Sequence, residues 1–308
     1  MRQFAFFLAA PAICLAQPAM AQEAAEPSAI VVTAQRSGAP MWTVDTASGT
    51  VILVGEIRAI PETTPWQPDR LEEATAEASR VILPLESRVS PGDVLRLIFA
   101  GGSITRLPGD TVAADYLDPA QLARLAMLEA RYDQDYSRKS LLITAFDLLS
   151  RRLRFTRDTG RDASEVVRRA ARRAHVDAEP VGTVRGEDML DNLAAADPRE
   201  HVPCLDAAMT ATEIGPDLVQ QRGADWRAFD VPAVMANPLE QALGRCWPWA
   251  DAQLGADLRG QWVSAIERAI ADDGVTLAVV PLRLLAEPDG VLDRLQAAGH
   301  QPAGPAWR

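Results

Sequence analysis

Histidine is scarce. Three occur in 308 residues, His175, His201 and His300, and no two stand in the His-x-x-x-His spacing that sets a pair of ligands on one helix face. His175 ends a basic helical run, His201 lies in a loop before Pro203, and His300 follows the last helical run, so each reads as a surface residue. No Gly-x-Ser-x-Gly elbow and no Gly-rich phosphate loop occurs, which removes the usual signatures of a nucleophilic serine and of a nucleotide cradle. Positive charge is short as well: 31 basic residues face 42 acidic ones, for a net charge of −11. That balance argues against a nucleic-acid backbone as partner. Beyond the N-terminus no apolar run reaches the about 18 residues a membrane helix needs.

The one markedly apolar stretch opens the chain. Arg2 precedes Phe4–Leu15, and Ala19-Met20-Ala21 supplies small residues on either side of a bulkier one. This reads as a secretory signal over residues 1–21, with Gln22 as the first mature residue and a periplasmic or secreted destination. Ile13 before Cys14 does not suit a lipoprotein signal. Removing the signal leaves Cys204 and Cys246 of the three cysteines. In an oxidising compartment an even pair suggests a disulfide, with two buried free thiols as the alternative. Residues 22–37 are small, polar and poorly patterned, and read as a flexible leader, although Ala29-Ile-Val-Val-Thr-Ala has edge-strand character.

From Gly38 the pattern sharpens, and residues 38–308 read as a single domain. Trp42–Asp45 and Thr50–Arg58 are β-rich runs joined by a short Gly-containing loop, a hairpin signal. A helix is expected from about Pro68, with Asp69, Glu72 and Glu73 near its positive end, and then a strand over Arg80–Glu86. Helices follow over Ser90–Phe99, from Asp118-Pro119 to about Tyr132, and over Asp135–Arg154 and Ser164–His175. Glu179–Val184 is a strand candidate. Glu187–Ala195, Pro203–Thr212, Pro216–Arg222, Trp226–Met235, Pro238–Arg245 and Asp257–Ala271 extend the helical pattern. A buried strand from Val275 and a helix over Gly290–Ala298 close the chain. This order predicts an α/β (α+β) fold. Its N- and C-terminal segments would form a central mixed sheet around a helical insertion of about residues 90–270. The arginines between Arg151 and Arg173 read either as a surface for an acidic partner or as a solvated helix face interleaved with Asp158, Asp162 and Glu165.

The hairpin, helix and strand of Gly38–Glu86 resemble the opening of the TraB/GumN family. There a hydrophobic strand ends in Gly-x-x-His, and a later strand ends in Glu. Here the Gly is Gly55, the His position holds Arg58, and the Glu is Glu86. The middle of the chain is similar to the family's Gly-x-Asp…Ala…Lys-Pro-Val-x-x-Leu-Glu run at Gly160-Arg161-Asp162, Ala170-Ala171 and Glu179-Pro-Val-Gly-Thr-Val184, with Arg185 where the family has Glu. Near the end, Arg259 and Trp262 precede Val280-Pro-Leu-Arg283-Leu284. Arg283 thus takes the second His position and Val280 the place of its Gly.

The resemblance implies a metal-dependent hydrolase fold, related to the TIKI-type membrane metalloproteases of animals. Two His and one or two Glu would hold a divalent metal that activates water. In this chain both His positions are Arg, and a guanidinium has no acceptor for a metal and stays protonated. The resemblance therefore implies a degenerate site without metal or cofactor, built from Gly55, Glu56, Arg58, Glu86, Arg259 and Arg283. In one reading Arg58, Glu86 and Arg283 converge, locking the strand ends or receiving an anionic small ligand. In another the two arginines simply face solvent. A hydrolase using a rearranged acidic site around Glu56, Glu86 and Asp289 with a hard cation is a further alternative. So is an inert site on a protein whose helical middle binds another envelope protein.

Overall fold

The computed structural model describes residues 38–88, 105–185, 195–246 and 252–308. The signal, the leader, the helix expected over 90–99 and all but the last residue of the helix expected over 187–195 lie outside them. The hairpin is present: β1 (Met41–Asp45) and β2 (Gly49–Glu56) pair antiparallel, Trp42 opposite Leu53 and Val44 opposite Val51. Helix α1 (Asp69–Glu77) follows, with Pro68 before its first turn. Strand β3 (Arg80–Leu83) comes next, then β4 (Glu86–Arg88).

The helical middle starts with α2 (Pro119–Tyr132). Asp118 accepts from the Gln121 N–H at its start, and the Gln121 side chain bonds back to the Asp118 N–H. Next come α3 (Leu141–Asp147), continued by a π turn over Leu148–Arg152, and α4 (Ala163–Ala174). Two short strands, β5 (Asp177–Pro180) and β6 (Thr183–Arg185), intervene. Then come α5 (Val202–Ile214), α6 (Asp217–Arg227), α7 (Val231–Ala236), α8 (Pro238–Cys246) and α9 (Ala252–Ala271). The chain ends with β7 (Gly274–Pro281), α10 (Leu282–Ala286) and α11 (Val291–Ala297).

The main sheet is mixed, in the order β1-β2-β7-β3-β5. Strand β7 inserts between β2 and β3 and runs parallel to both, so the last strand closes a sheet that the first segment opened. Its Leu277–Val280 run and the Val51, Leu53 and Val54 run of β2 are buried, as expected of parallel strands covered on both faces. The middle of the chain also contributes a strand, because β5 pairs parallel to β3 as the sheet's edge. Two apolar cores result. One surrounds the sheet and includes Trp42, Trp226 and Trp262; the other lies within the helical middle, around Leu128, Tyr136, Leu142, Leu205 and Met209.

The backbone departs from the sequence pattern in several places. The strand read over Arg80–Glu86 stops at Leu83: Pro84 has no N–H to give to a ladder. The chain leaves the sheet there, and Glu86 opens a separate two-stranded sheet with β6. The helix read from Asp135 starts only at Leu141, because the Asp135 side chain accepts from the Ser137 N–H, a turn that competes with helix. The break read between Arg222 and Trp226 falls later, at Phe229, whose φ of 63° ends α6.

Cys204 on α5 and Cys246 at the end of α8 form a disulfide. It clamps two helices of the second core across a sequence separation of 42. In the chain-entropy treatment a loop of that length stabilises the folded state by about 4 kcal/mol. Replacing both cysteines with serine is expected to lower unfolding free energy by up to that amount, read from the denaturant midpoint under oxidising conditions. An unchanged midpoint would contradict this.

Candidate functional site

The carboxyl ends of β2 and β7 open into a cleft of about 370 Å3. Its lining comes from both ends of the chain and from the middle: Glu56 at the end of β2 with Ile57 and Arg58 beyond it, Pro84 and Leu85 after β3, Pro281 at the end of β7 with Leu282–Leu284 beyond it, and Phe146, Phe155, Arg222, Glu240 and Leu243 from the helical layer. The carboxyl edge of a parallel sheet is where ligands bind in open α/β folds. The sequence places these residues there by simple means. Each parallel strand runs out at the same edge, and Pro281 and Pro84 end their ladders.

The floor is fixed by backbone hydrogen bonds. Gly55 donates its N–H to the Pro40 carbonyl at 2.8 Å, and its carbonyl accepts from the buried Trp226 indole at 2.8 Å. A Cβ at Gly55 would stand 2.6 Å from Leu282 Cδ1 and 3.0 Å from Trp42 Cζ3, so a side chain there would push α10 and β1 away from β2. Strand β2 ends at Glu56. Arg58 is therefore not on the strand with Glu56, as its spacing implied, but in the turn beyond it. The next residue, Ala59, adopts the left-handed conformation with φ 57°, a cost of about 1 kcal/mol for a residue with a Cβ.

The dominant electrostatic feature is a buried ionic triad. Glu240 on α8 accepts from Arg222 Nε at 2.6 Å through one carboxylate oxygen and from Arg283 at 3.1 Å through the other. Arg222 is almost wholly buried and also donates to the Arg58 carbonyl at 2.9 Å. Arg283, in the first turn of α10, donates in addition to the Glu240 backbone carbonyl. Its guanidinium lies against Gly244, where a Cβ would fall on the guanidinium atoms. Burial alone would raise the Glu240 carboxyl; the Arg222 and Arg283 charges outweigh it and hold the group below its ordinary value.

Glu56 is in the opposite situation. It is buried and accepts from the Ser164 N–H in the first turn of α4 at 2.8 Å. Burial, and then the charge of Asp162, push its carboxyl up to about 7, against hydrogen bonding from Ser164 and the charge of Arg58. Arg58 is exposed at the cleft, and its guanidinium has no ion pair or hydrogen bond among the described residues. Three guanidinium groups against Glu240 leave the cleft positive whichever state Glu56 takes.

The structure thus brings together Gly55, Glu56, Arg58 and Arg283, with Glu240 as the carboxylate between two arginines. Glu86 does not hold that place: it is exposed in β4 and lies outside the residues lining the cleft. Arg259 on α9 pairs with Glu287 at 2.7 Å, in a separate hollow behind Trp262. His201, expected at the surface, is buried. The donor set does not fit the metal that the family resemblance implies. Arg58 and Arg283 offer no acceptor, Glu240 is engaged by two cations, and no group of three His, Cys, Asp or Glu among the described residues could hold an ion.

Sequence reasoning missed Arg222, Glu240, Ser164 and Trp226. Arg222 and Glu240 stand on different helices 18 residues apart, and their local patterns match those of ordinary solvated charges. The only available signal was that both flank apolar helical faces.

Because the folded-state value of Glu56 lies above its unfolded one, the native state holds the extra proton between the two. The stabilisation is full below about 4.5 and is lost as pH rises through about 7. A shift of that size corresponds to about 3 kcal/mol. Glu56→Gln cannot ionise, so its stability relative to the parent is expected to rise by about that much between pH 4.5 and pH 8, measured by denaturant unfolding. A constant difference across that range would contradict the assignment. Ala59→Gly is expected to stabilise by up to about 1 kcal/mol in the same assay.

Neither a curated protein nor a solved structure matches this chain. Residues 40–303, from the residue before β1 to the end of the chain's last bridge to that strand, match the TraB/PrgY/gumN family. The match takes in every strand of the sheet and all the cleft residues. The chain belongs to the TraB/PrgY/gumN family.

Proposed function

We propose that this protein is an exported, non-hydrolytic member of the family, periplasmic or secreted, that binds a small anionic ligand at the carboxyl ends of β2 and β7. The observation that carries this reading is Arg58: an uncommitted guanidinium at the mouth of a cleft whose carboxylate Glu240 is already neutralised by Arg222 and Arg283. A planar guanidinium matches a carboxylate or phosphate in a two-pronged hydrogen bond. Binding requires little reorganisation, because the triad holds Arg283 and the Arg58 carbonyl in place before a ligand arrives.

In the degenerate-site reading, Arg58 and Arg283 take the positions of the family's metal-binding histidines. Cation-carrying side chains then stand where a metal would be, and an anion replaces the metal-bound water as the natural occupant. The competing hydrolase reading needs Glu56 and Glu86 on one ion. Glu56 lies buried at the start of α4 and Glu86 is exposed on the second sheet.

The test is a thermal-shift series at constant ionic strength, with chloride replaced by simple carboxylates and phosphate, alongside elemental analysis of protein purified without chelators. Small anions are expected to raise the midpoint of the parent but not of Arg58→Ala, with divalent metal well below one equivalent. A stoichiometric divalent ion lost in Glu56→Ala, together with chelator-sensitive peptide hydrolysis, would sink the proposal.

A further inference from the structure

The charged groups are only part of the cleft's lining. Apolar side chains share it: Leu85 from the sheet side, Phe146, Phe155 and Leu243 from the helical layer. All four are only partly buried, so each keeps apolar surface turned to the space they share. Phe155 is held in place by the Arg222 guanidinium, 5.8 Å from its ring centre. This links the apolar wall to the triad. A cleft for an inorganic anion alone would have no use for such a wall. Water against it is released favourably by an apolar group.

Trp262 lines both this cleft and the neighbouring hollow. It is fully buried in the lining, yet its indole N–H finds no acceptor among the described residues. A buried donor without an acceptor costs about 1–3 kcal/mol.

We infer that the ligand is an amphipathic carboxylate, with its head on Arg58 beside Arg283 and an acyl chain or aromatic body against Leu85, Phe146, Phe155 and Leu243. This rests on the anion-binding reading above and narrows it to a ligand class. A monovalent head suits the site better than a divalent one. Among the described residues Arg58 is the cleft's one cation without an ion pair, which a single carboxylate matches.

Titration calorimetry on the purified protein with four probes tests this: acetate, octanoate, octanol and octyl phosphate. Octanoate is expected to bind at one site, on the order of a hundredfold more tightly than acetate, from partial burial of its additional methylenes. Arg58→Ala should bring octanoate down to the level of octanol, and Phe155→Ser should weaken octanoate by a larger factor than acetate. Equal affinity for acetate and octanoate would overturn the amphipathic assignment and leave the anion-binding reading standing. Octanol binding as tightly as octanoate, or no binding by any acid, would overturn both. Octyl phosphate binding more tightly than octanoate would overturn the carboxylate head. Circular dichroism of both variants, matched to the parent, shows that any loss is local.

Discussion

The structure depends on one buried ionic contact, Glu240 held between Arg222 and Arg283. The two arginines come from elements that are remote in sequence, one from the helical middle and one from the turn after the last strand. Their shared carboxylate ties the helical layer to the carboxyl edge of the sheet. Removing water from three charges is expensive, and a pair in such a place is not in itself a source of net stability. What it secures is position. With one guanidinium removed, the carboxylate would keep a single partner; with the carboxylate removed, two cations would face each other in a site nearly closed to solvent. The arrangement is therefore intolerant of partial change, and it holds the cleft in one shape.

From that contact the chemistry of the cleft follows. The triad is internally paired and carries one unit of positive charge in excess. Arg58 adds another at the mouth, positioned by its own carbonyl's bond to Arg222 and by the left-handed turn at Ala59. Glu56 is placed where burial outweighs the arginine nearby, so its carboxyl stays protonated to near neutrality. The family match spans every strand. The edge of its sheet presents donors of hydrogen bonds, with few groups able to donate electron pairs. A metal needs electron-pair donors and an anion needs N–H donors, so the two kinds of site exclude one another.

Much of the frame was legible in the chain. The alternation around Trp42 carries a strand period, the short β-branched runs from Val51 and Leu277 suit buried strands by length and composition, and the family resemblance ordered them. The cysteine pair was legible by counting. The helical middle was legible in extent but not in detail. Asp135 redirects the backbone by a side-chain bond, and Phe229 ends a helix by its own backbone angle, and neither has a composition signature. The site was half legible. Arg58 and Arg283 stood out because of what the resemblance leads one to expect in their places. Glu240 did not, since a glutamate on a helix reads as solvated until the partner helix is known. Glu86 was misplaced for a reason visible in retrospect: Pro84 ends the ladder, and the two residues after it carry the chain to a different sheet.

The most direct measurement is an anomalous-difference map from crystals soaked in bromide and, separately, in a zinc salt. The account predicts a bromide peak within hydrogen-bonding range of the Arg58 and Arg283 guanidinium groups and no zinc peak in the cleft. A zinc peak between the ends of β2 and β7, with that position empty of bromide, would contradict it.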